Sequence, residues 1–377
     1  MKQNVQRCLV LLNLYRNLMK KLILLFSIIT LIYCCTKEDA FVDEGFNEKQ
    51  LLLDLSEHVI LPSINSFQQN CVDLDNLVLN YVESSTTANL QLVRNQWIRT
   101  AKNYARIYAF NIGIIKRSFT HQKLYNWPSF ANSIENNLTQ NTVIGLPEIQ
   151  RFGSSSKGLP GIEYLLYDSE ELITANSKFT NQSNRLDYLK QATFELRENA
   201  DQLKNNWNKD GENYINTFIE NELSSIEGSF NMLYNGIYNI IDNAKVTKIG
   251  KPAGLETSET TNTFLLQAPY SGISAEMVLE NLKITEELFY STDGLNISNY
   301  LDFNSGNNEL SALFHEKIEN CRIKIHLLQT PLREAIKSEK EAVAEIHNAL
   351  KEIQKLLAVD IRAQLVIVIT STDNDGD

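Results

Sequence analysis

The stretch SSKGLPGIEYLLYD, Ser155 to Asp168, is where the helical texture of the chain breaks and restarts. Gly158, Pro160 and Gly161 lead straight into Ile162-Glu163-Tyr164-Leu165-Leu166-Tyr167. Pro160 suits the first turn of a helix, where a missing N–H leaves no hydrogen bond unmade. Glu163 then falls about one turn in, near the positive end of the helix dipole, where a carboxylate is favoured. Ile162, Tyr164, Leu165, Leu166 and Tyr167 leave the segment almost no polar face, and a helix that is apolar all round is a buried one. A buried carboxylate must accept hydrogen bonds, meet a cation or take a proton. Glu163 is therefore either a paired structural residue or part of a ligand site, and the sequence leaves both open.

Outward from this stretch the apolar residues recur with a helical period. Leu53, Val59, Ile60, Ile64, Phe67, Cys71, Leu74, Leu77 and Tyr81 form one stripe, with a kink expected at Pro62. Leu90, Val93, Trp97, Ala101, Tyr104, Tyr108 and Ile112 form a second, whose Trp97, Tyr104 and Tyr108 either pack the core or line a pocket. Trp127-Pro128 reads as the start of a shorter helix through Leu138. Amphipathic helices follow over 184–207 and 214–244. Three more are expected over 275–290, 308–329 and from Pro331 to near Leu357. Between them, residues 245–274 read as a long crossover loop, of the kind that is functional or crosses between domains. The final QLVIVITSTDNDGD reads as a short irregular arm packed on a bundle. No βαβ alternation occurs. The expected fold is all-α, with two four-helix bundles: residues 51–210, which contain GLPGIE, and residues 211–370.

Composition agrees. In 377 residues there are only 15 Gly and 7 Pro, which favours long helices over many tight turns. The net charge is −11 and no basic stripe appears, which excludes nucleic acid as the expected partner.

The N-terminus reads as a targeting segment, residues 1–35. Lys20 and Lys21 precede the apolar run Leu22 to Tyr33, too short for a comfortable membrane span, and the run ends at Cys34-Cys35. This resembles a bacterial lipobox, with Cys35 or Cys34 lipidated; an uncleaved anchor is the alternative. Met19 is the expected true start. Residues 36–50 read as a tether, in which Lys37-Glu38-Asp39 resembles the surface-export tag of Bacteroidetes lipoproteins or is simply solvated. Removing residues 1–35 takes away five basic residues and no acid, so the remainder is more acidic still. Cys71 and Cys321 then remain. They are expected as two separately buried thiols, although an oxidising envelope would permit a disulfide.

Few residues form a catalytic pattern. The five histidines, His58, His121, His315, His326 and His347, make no HExxH, and Glu-x-x-His is absent. His315 and Glu319 share one helix face at i,i+4, as a metal-binding pair or a surface pair would. There is no G-x-S-x-G elbow and no P-loop.

The whole pattern resembles the imelysin family. Trp97 followed by Tyr104, NWPSF (Asn126 to Phe130) and GLPGIE (Gly158 to Glu163) carry the likeness; the last sits where the family has G-x-H-x-x-E. KIGKPAGLE (Lys248 to Glu256), APYSGIS (Ala268 to Ser274) and the terminal DGD resemble the subgroup in which that histidine is a proline. The resemblance implies two helical bundles with the motif near their interface, and an outer-membrane lipoprotein, periplasmic or surface-exposed, associated with iron acquisition. Its partners would be the membrane, through the lipid, and iron-uptake envelope proteins. The implied ligand-site candidates are Gly158, Pro160, Glu163, Trp127, Tyr270 and Ser271, with Glu163 a candidate ligand for iron or another divalent metal. Pro160 cannot ligate metal or carry a proton, so a non-catalytic binding role is expected. The alternatives are the metallopeptidase of the family name and a scaffold for another envelope protein.

Overall fold

The helical periodicity becomes helices almost throughout, and the described residues contain no β-strand. The structure is a computed structural model that describes residues 45–256, 260–370 and 372. The targeting segment with Cys34 and Cys35, most of the tether and the terminal DGD lie outside the described residues. From Glu48 onward the chain forms one compact unit.

Its first half is built on α1 (Glu48–Leu55), α2 (Leu61–Glu83), α3 (Thr87–Ile107), the motif helix α4 (Gly158–Tyr167) and α5 (Ser183–Trp207). Helix α2 packs on α3 and α5, and α4 packs on α3 and α5. Phe67, Cys71 and Leu74 of α2 and Val93, Trp97 and Tyr104 of α3 are fully buried or nearly so. Each such side chain contributes roughly 1.5–3 kcal/mol by leaving water. The second half is built on α6 (Ser229–Asn243), α7 (Ser274–Tyr290), α8 (Glu309–His326) and α9 (Lys340–Lys355). The halves meet where α7 lies on α3. There Asn281 donates from Nδ2 to the Ala105 carbonyl at 2.7 Å. Cys71 and Cys321 are buried and unbonded to each other. No described helix is long and apolar enough to cross a membrane.

Three expectations shift, and a fourth takes a specific form: at Pro62 the helix carries on, with a π-helical turn over Ser56–Ile60 just before the proline, and the Leu61 amide reaches back to Ser56. Proline has no N–H and its ring crowds the carbonyl four residues back, and the wider π turn accommodates both. The same device recurs at Pro252. Helix α6 runs on through a π turn, Ala244–Gly250, into Lys251–Ala253, so the irregular crossover begins only at Gly254. The helix expected over 214–244 is instead split into Tyr214–Glu220 and α6. Leu223 and Ile226 complete the apolar period but are exposed, and the Asn221 side chain donates to the Glu227 carbonyl to close a loop between them. Trp127-Pro128 is a cis peptide in a turn, and the helix after it starts at Ala131.

The C-terminal arm follows α6 without joining a sheet. Asn231 and Asn235 act in place of a neighbouring strand: Asn231 pairs with both backbone groups of Val368, and the Thr370 amide donates to Asn235.

Gly158 is what lets the motif helix sit where it does. Its φ is +57°, a left-handed conformation, and an added Cβ would lie 2.7 Å from the carbonyl oxygens of Lys123 and Leu124. The backbone of 120–125 thus lies directly against the start of α4. Gly158→Ala is expected to lose at least about 2 kcal/mol of stability in urea denaturation. Gly153→Ala, with nothing within 4 Å of the new Cβ, should change it little. Equal midpoints for the two variants would show that the close approach is not a constraint.

Candidate functional site

Glu163 is buried at 1% exposure, and its carboxylate is not left unpaired. Oε1 accepts three hydrogen bonds from the crossover loop: the Tyr270 amide at 2.9 Å, the Ser271 amide at 2.8 Å and the Ser271 hydroxyl at 2.8 Å. The loop is shaped to offer them. Ala268 takes a left-handed φ of +57°, which costs a non-glycine residue about 1–2 kcal/mol. The Ser271 and Ser274 hydroxyls both reach its carbonyl, at 3.4 and 3.3 Å. Gly272 is left-handed as well, at +78°. The two segments singled out in the sequence, GLPGIE and APYSGIS, are therefore the two sides of one contact.

Burial pushes the Glu163 carboxyl up to about 7, against the lowering effect of Ser271, Tyr270 and the more distant Arg333 guanidinium. The three donors on Oε1 favour the ionised carboxylate, and burial outweighs them.

Of the six sequence candidates, the structure brings Glu163, Tyr270 and Ser271 into direct contact. Gly158 and Pro160 are buried in the first turn of the same helix. Trp127 stands apart, on a cavity of about 340 Å³ that is also lined by Tyr108, Lys116, His121, Gln122 and Tyr125. The cavity wall is aromatic. Tyr104 stacks on Tyr125 with ring centroids 5.0 Å apart, and Tyr125 meets Trp127 edge-on at 5.9 Å. His121 lies between Tyr104 and Tyr108 and shares Nδ1 with the Tyr104 hydroxyl at 3.3 Å. Tyr125 links cavity and motif. Burial holds its phenol well above the ordinary value, and the Glu163 charge pushes it the same way.

The sequence reading missed His121, Tyr125 and Lys116. The signal for them was the Tyr104 and Tyr108 stripe, which was read as core or pocket and turns out to be both: Tyr104 is buried and Tyr108 lines the cavity. It also missed that KIGKPAGLE is an internal tie. The Lys248 ammonium, lowered to about 7 by burial, donates to Asn281 Oδ1 at 2.5 Å. Glu256 takes His347 Nε2 at 2.7 Å and Lys245 at 3.1 Å.

The donor set around Glu163 does not fit a resident metal. Its Oε1 is occupied by three hydrogen-bond donors, which a cation would have to displace. Among the described residues, the one group of three metal-type ligands is elsewhere, at Glu286, His315 and Glu319. There His315 stands 3.2 Å from Glu286, and Arg322 bridges Glu286 and Glu319. The guanidinium already supplies the positive charge between the two carboxylates, and His315 faces Glu286 rather than Glu319.

The sequence profile of the family described as Imelysin matches residues 60–359. Two solved structures share the fold. One is an imelysin-like protein from Psychrobacter arcticum 273-4, 17% identical, with a TM-score of 0.71 over 86% of this chain and 97% of its own. The other is a candidate iron-regulated protein A precursor from Parabacteroides distasonis ATCC 8503, 18% identical, with a TM-score of 0.69 over 84% of this chain and 94% of its own. No curated protein matches the sequence.

The Glu163 site makes stability depend on pH. Its native pKa lies above the ordinary 4.5, so between about 4.5 and about 7 the folded chain binds more protons than the unfolded one. The contribution is full below that window and falls as pH rises through it, by about 3 kcal/mol at most. Glu163→Gln, which keeps a neutral acceptor, is expected to flatten the fall in urea midpoint between pH 5 and 7.5. Parallel profiles for the two proteins would show that Glu163 titrates as an ordinary carboxyl.

Proposed function

This chain belongs to the imelysin family, and we propose that it serves there as a non-catalytic, ligand-capturing envelope lipoprotein that works in iron acquisition. The observation that carries the reading is the pair Pro160 and Glu163. The residue at the family's histidine position is a buried proline at the start of α4. The glutamate that remains is held by three donors in a loop 107 and 108 residues away. A hydrolytic metal centre needs at least three protein ligands and an open position. This motif supplies one carboxylate, already engaged.

The seat proposed for the ligand is the cavity beside the motif, between Trp127, Tyr125, His121 and Lys116. Its volume falls in the range of small-molecule sites, and its aromatic wall with a few polar groups is their usual chemistry. Glu163, Tyr270 and Ser271 would fix the wall on which Tyr125 stands. The iron context rests on the likeness to the Parabacteroides distasonis protein. Attachment through Cys34 or Cys35 rests on the lipobox pattern alone.

Two measurements test the reading. The purified protein is expected to carry no stoichiometric metal by mass spectrometry and to show no chelator-sensitive hydrolysis of labelled casein; bound metal together with such hydrolysis would sink the reading in favour of the metallopeptidase. A deletion strain is expected to grow poorly in iron-depleted medium only, with rescue by the wild-type gene and not by Trp127→Ala expressed at the same level. Growth that is indifferent to iron would remove the iron-acquisition role.

A further inference from the structure

A second cavity, of about 480 Å³, opens where α2 and α3 meet α7. It is remote in character from the aromatic one. Arg99, Lys102, Arg106 and Lys283 line it, against two carboxylates, Glu280 and Glu287. That is an excess of permanent cations in a chain whose net charge is −11. One rim is the π turn of Ser56–Ile60, which contributes His58 and Val59.

Not all of these cations are neutralised. Glu280 lies 3.4 Å from Lys102 and 3.5 Å from Arg106, and Glu287 pairs with Arg106 through Nη2. Arg99 and Lys283 make no ion pair among the described residues, and both are exposed toward the cavity they line. Arg106 Nη1 is shielded from solvent and has no hydrogen-bond acceptor, since Glu280 is at ion-pair distance only. A shielded guanidinium N–H without an acceptor is a donor whose desolvation is uncompensated. Lone basic side chains on a helix surface are ordinarily just solvated. Here they converge on one concavity between three helices, where low-dielectric walls focus their field.

We propose that this cleft binds a small multivalent organic or phosphoric anion, held between Arg99 and Lys283. Guanidinium forks match planar carboxylate and phosphate oxygens, and a flexible ammonium opposite them accommodates either. The Asn103 and Ser66 side chains, hydrogen-bonded to each other at 3.2 Å on the same wall, supply neutral polar contacts. The volume holds a molecule of several oxyanion groups rather than one lone ion. Because the cleft spans α3 and α7, an occupant would also bind the two halves of the fold together.

The test is calorimetric titration of the full chain in detergent with citrate and with inorganic pyrophosphate, at fixed chloride. At least one probe is expected to bind saturably and to raise the melting temperature. Arg99→Gln combined with Lys283→Gln is expected to weaken that probe at least tenfold while leaving the urea midpoint unchanged. Lys351→Gln, an exposed charge on α9 outside the cleft, should leave affinity unchanged. Citrate alone would mark a carboxylate site and pyrophosphate alone a phosphate site. Binding of neither probe, affinity that survives the double variant, or an equal loss in Lys351→Gln would overturn the proposal.

Discussion

One carboxylate oxygen joins the two halves of this chain. Glu163 Oε1 belongs to a helix in the first half and takes its three donors from a loop in the second. The contact is expensive to desolvate, and a lone carboxylate there would be intolerable. Once made, it is also specific, because two consecutive amides and a hydroxyl must converge on one atom. That requirement shapes the loop, down to the left-handed Ala268 that aims them. It also sets where α7 begins, since Ser274 opens that helix while its hydroxyl bonds back to Ala268. The α3–α7 packing, with Asn281 on the Ala105 carbonyl and Lys248 on Asn281, continues the same seam.

Gly158 acts by permitting close approach and Pro62 and Pro252 lie within helical runs, whereas Gly254 and Gly306 end helices in left-handed conformations. Pro62 and Pro252 each follow a π turn that absorbs the missing hydrogen bond, and the helical run continues past the turn. The first of these turns brings His58 to the rim of the basic cleft. Gly158 admits the 120–125 backbone, which places Tyr125 between the aromatic cavity and Glu163. Backbone irregularities thus border both cavities, whereas the core follows from ordinary apolar stripes.

The sequence announced the all-α fold because burial enforces the 3.6-residue period wherever a helix has one wet face. The stripes of α2 and α3 could be read almost residue by residue, with Leu77 half-buried beside a buried Val78. Misreadings came where the period was satisfied by residues that are not buried, as at Leu223 and Ile226, or where Trp127-Pro128 suggested a helix start that lies instead at Ala131. Glu163 was legible as a buried acid in need of partners, and Tyr270 and Ser271 as site residues. That the partners are the same Tyr270 and Ser271 was not, because contacts across more than a hundred residues leave no local pattern. His121 and Lys116 were invisible for another reason: their segment, 113–124, is broken into short helices with no period long enough to show a face.

Pro160 can now be understood alongside its neighbours. In the G-x-P-x-x-E form of the motif, the glycine is required by the approach of Leu124 and the glutamate by the clamp on Ser271. Neither role involves the position between them. Proline there still costs nothing, because the first helical turn has amides with no internal acceptor. The glycine and the glutamate of GLPGIE can therefore be kept for reasons of packing alone. Packing thus accounts for both Gly158 and Glu163, while Trp127 and the basic side chains of α3 and α7 line the two cavities.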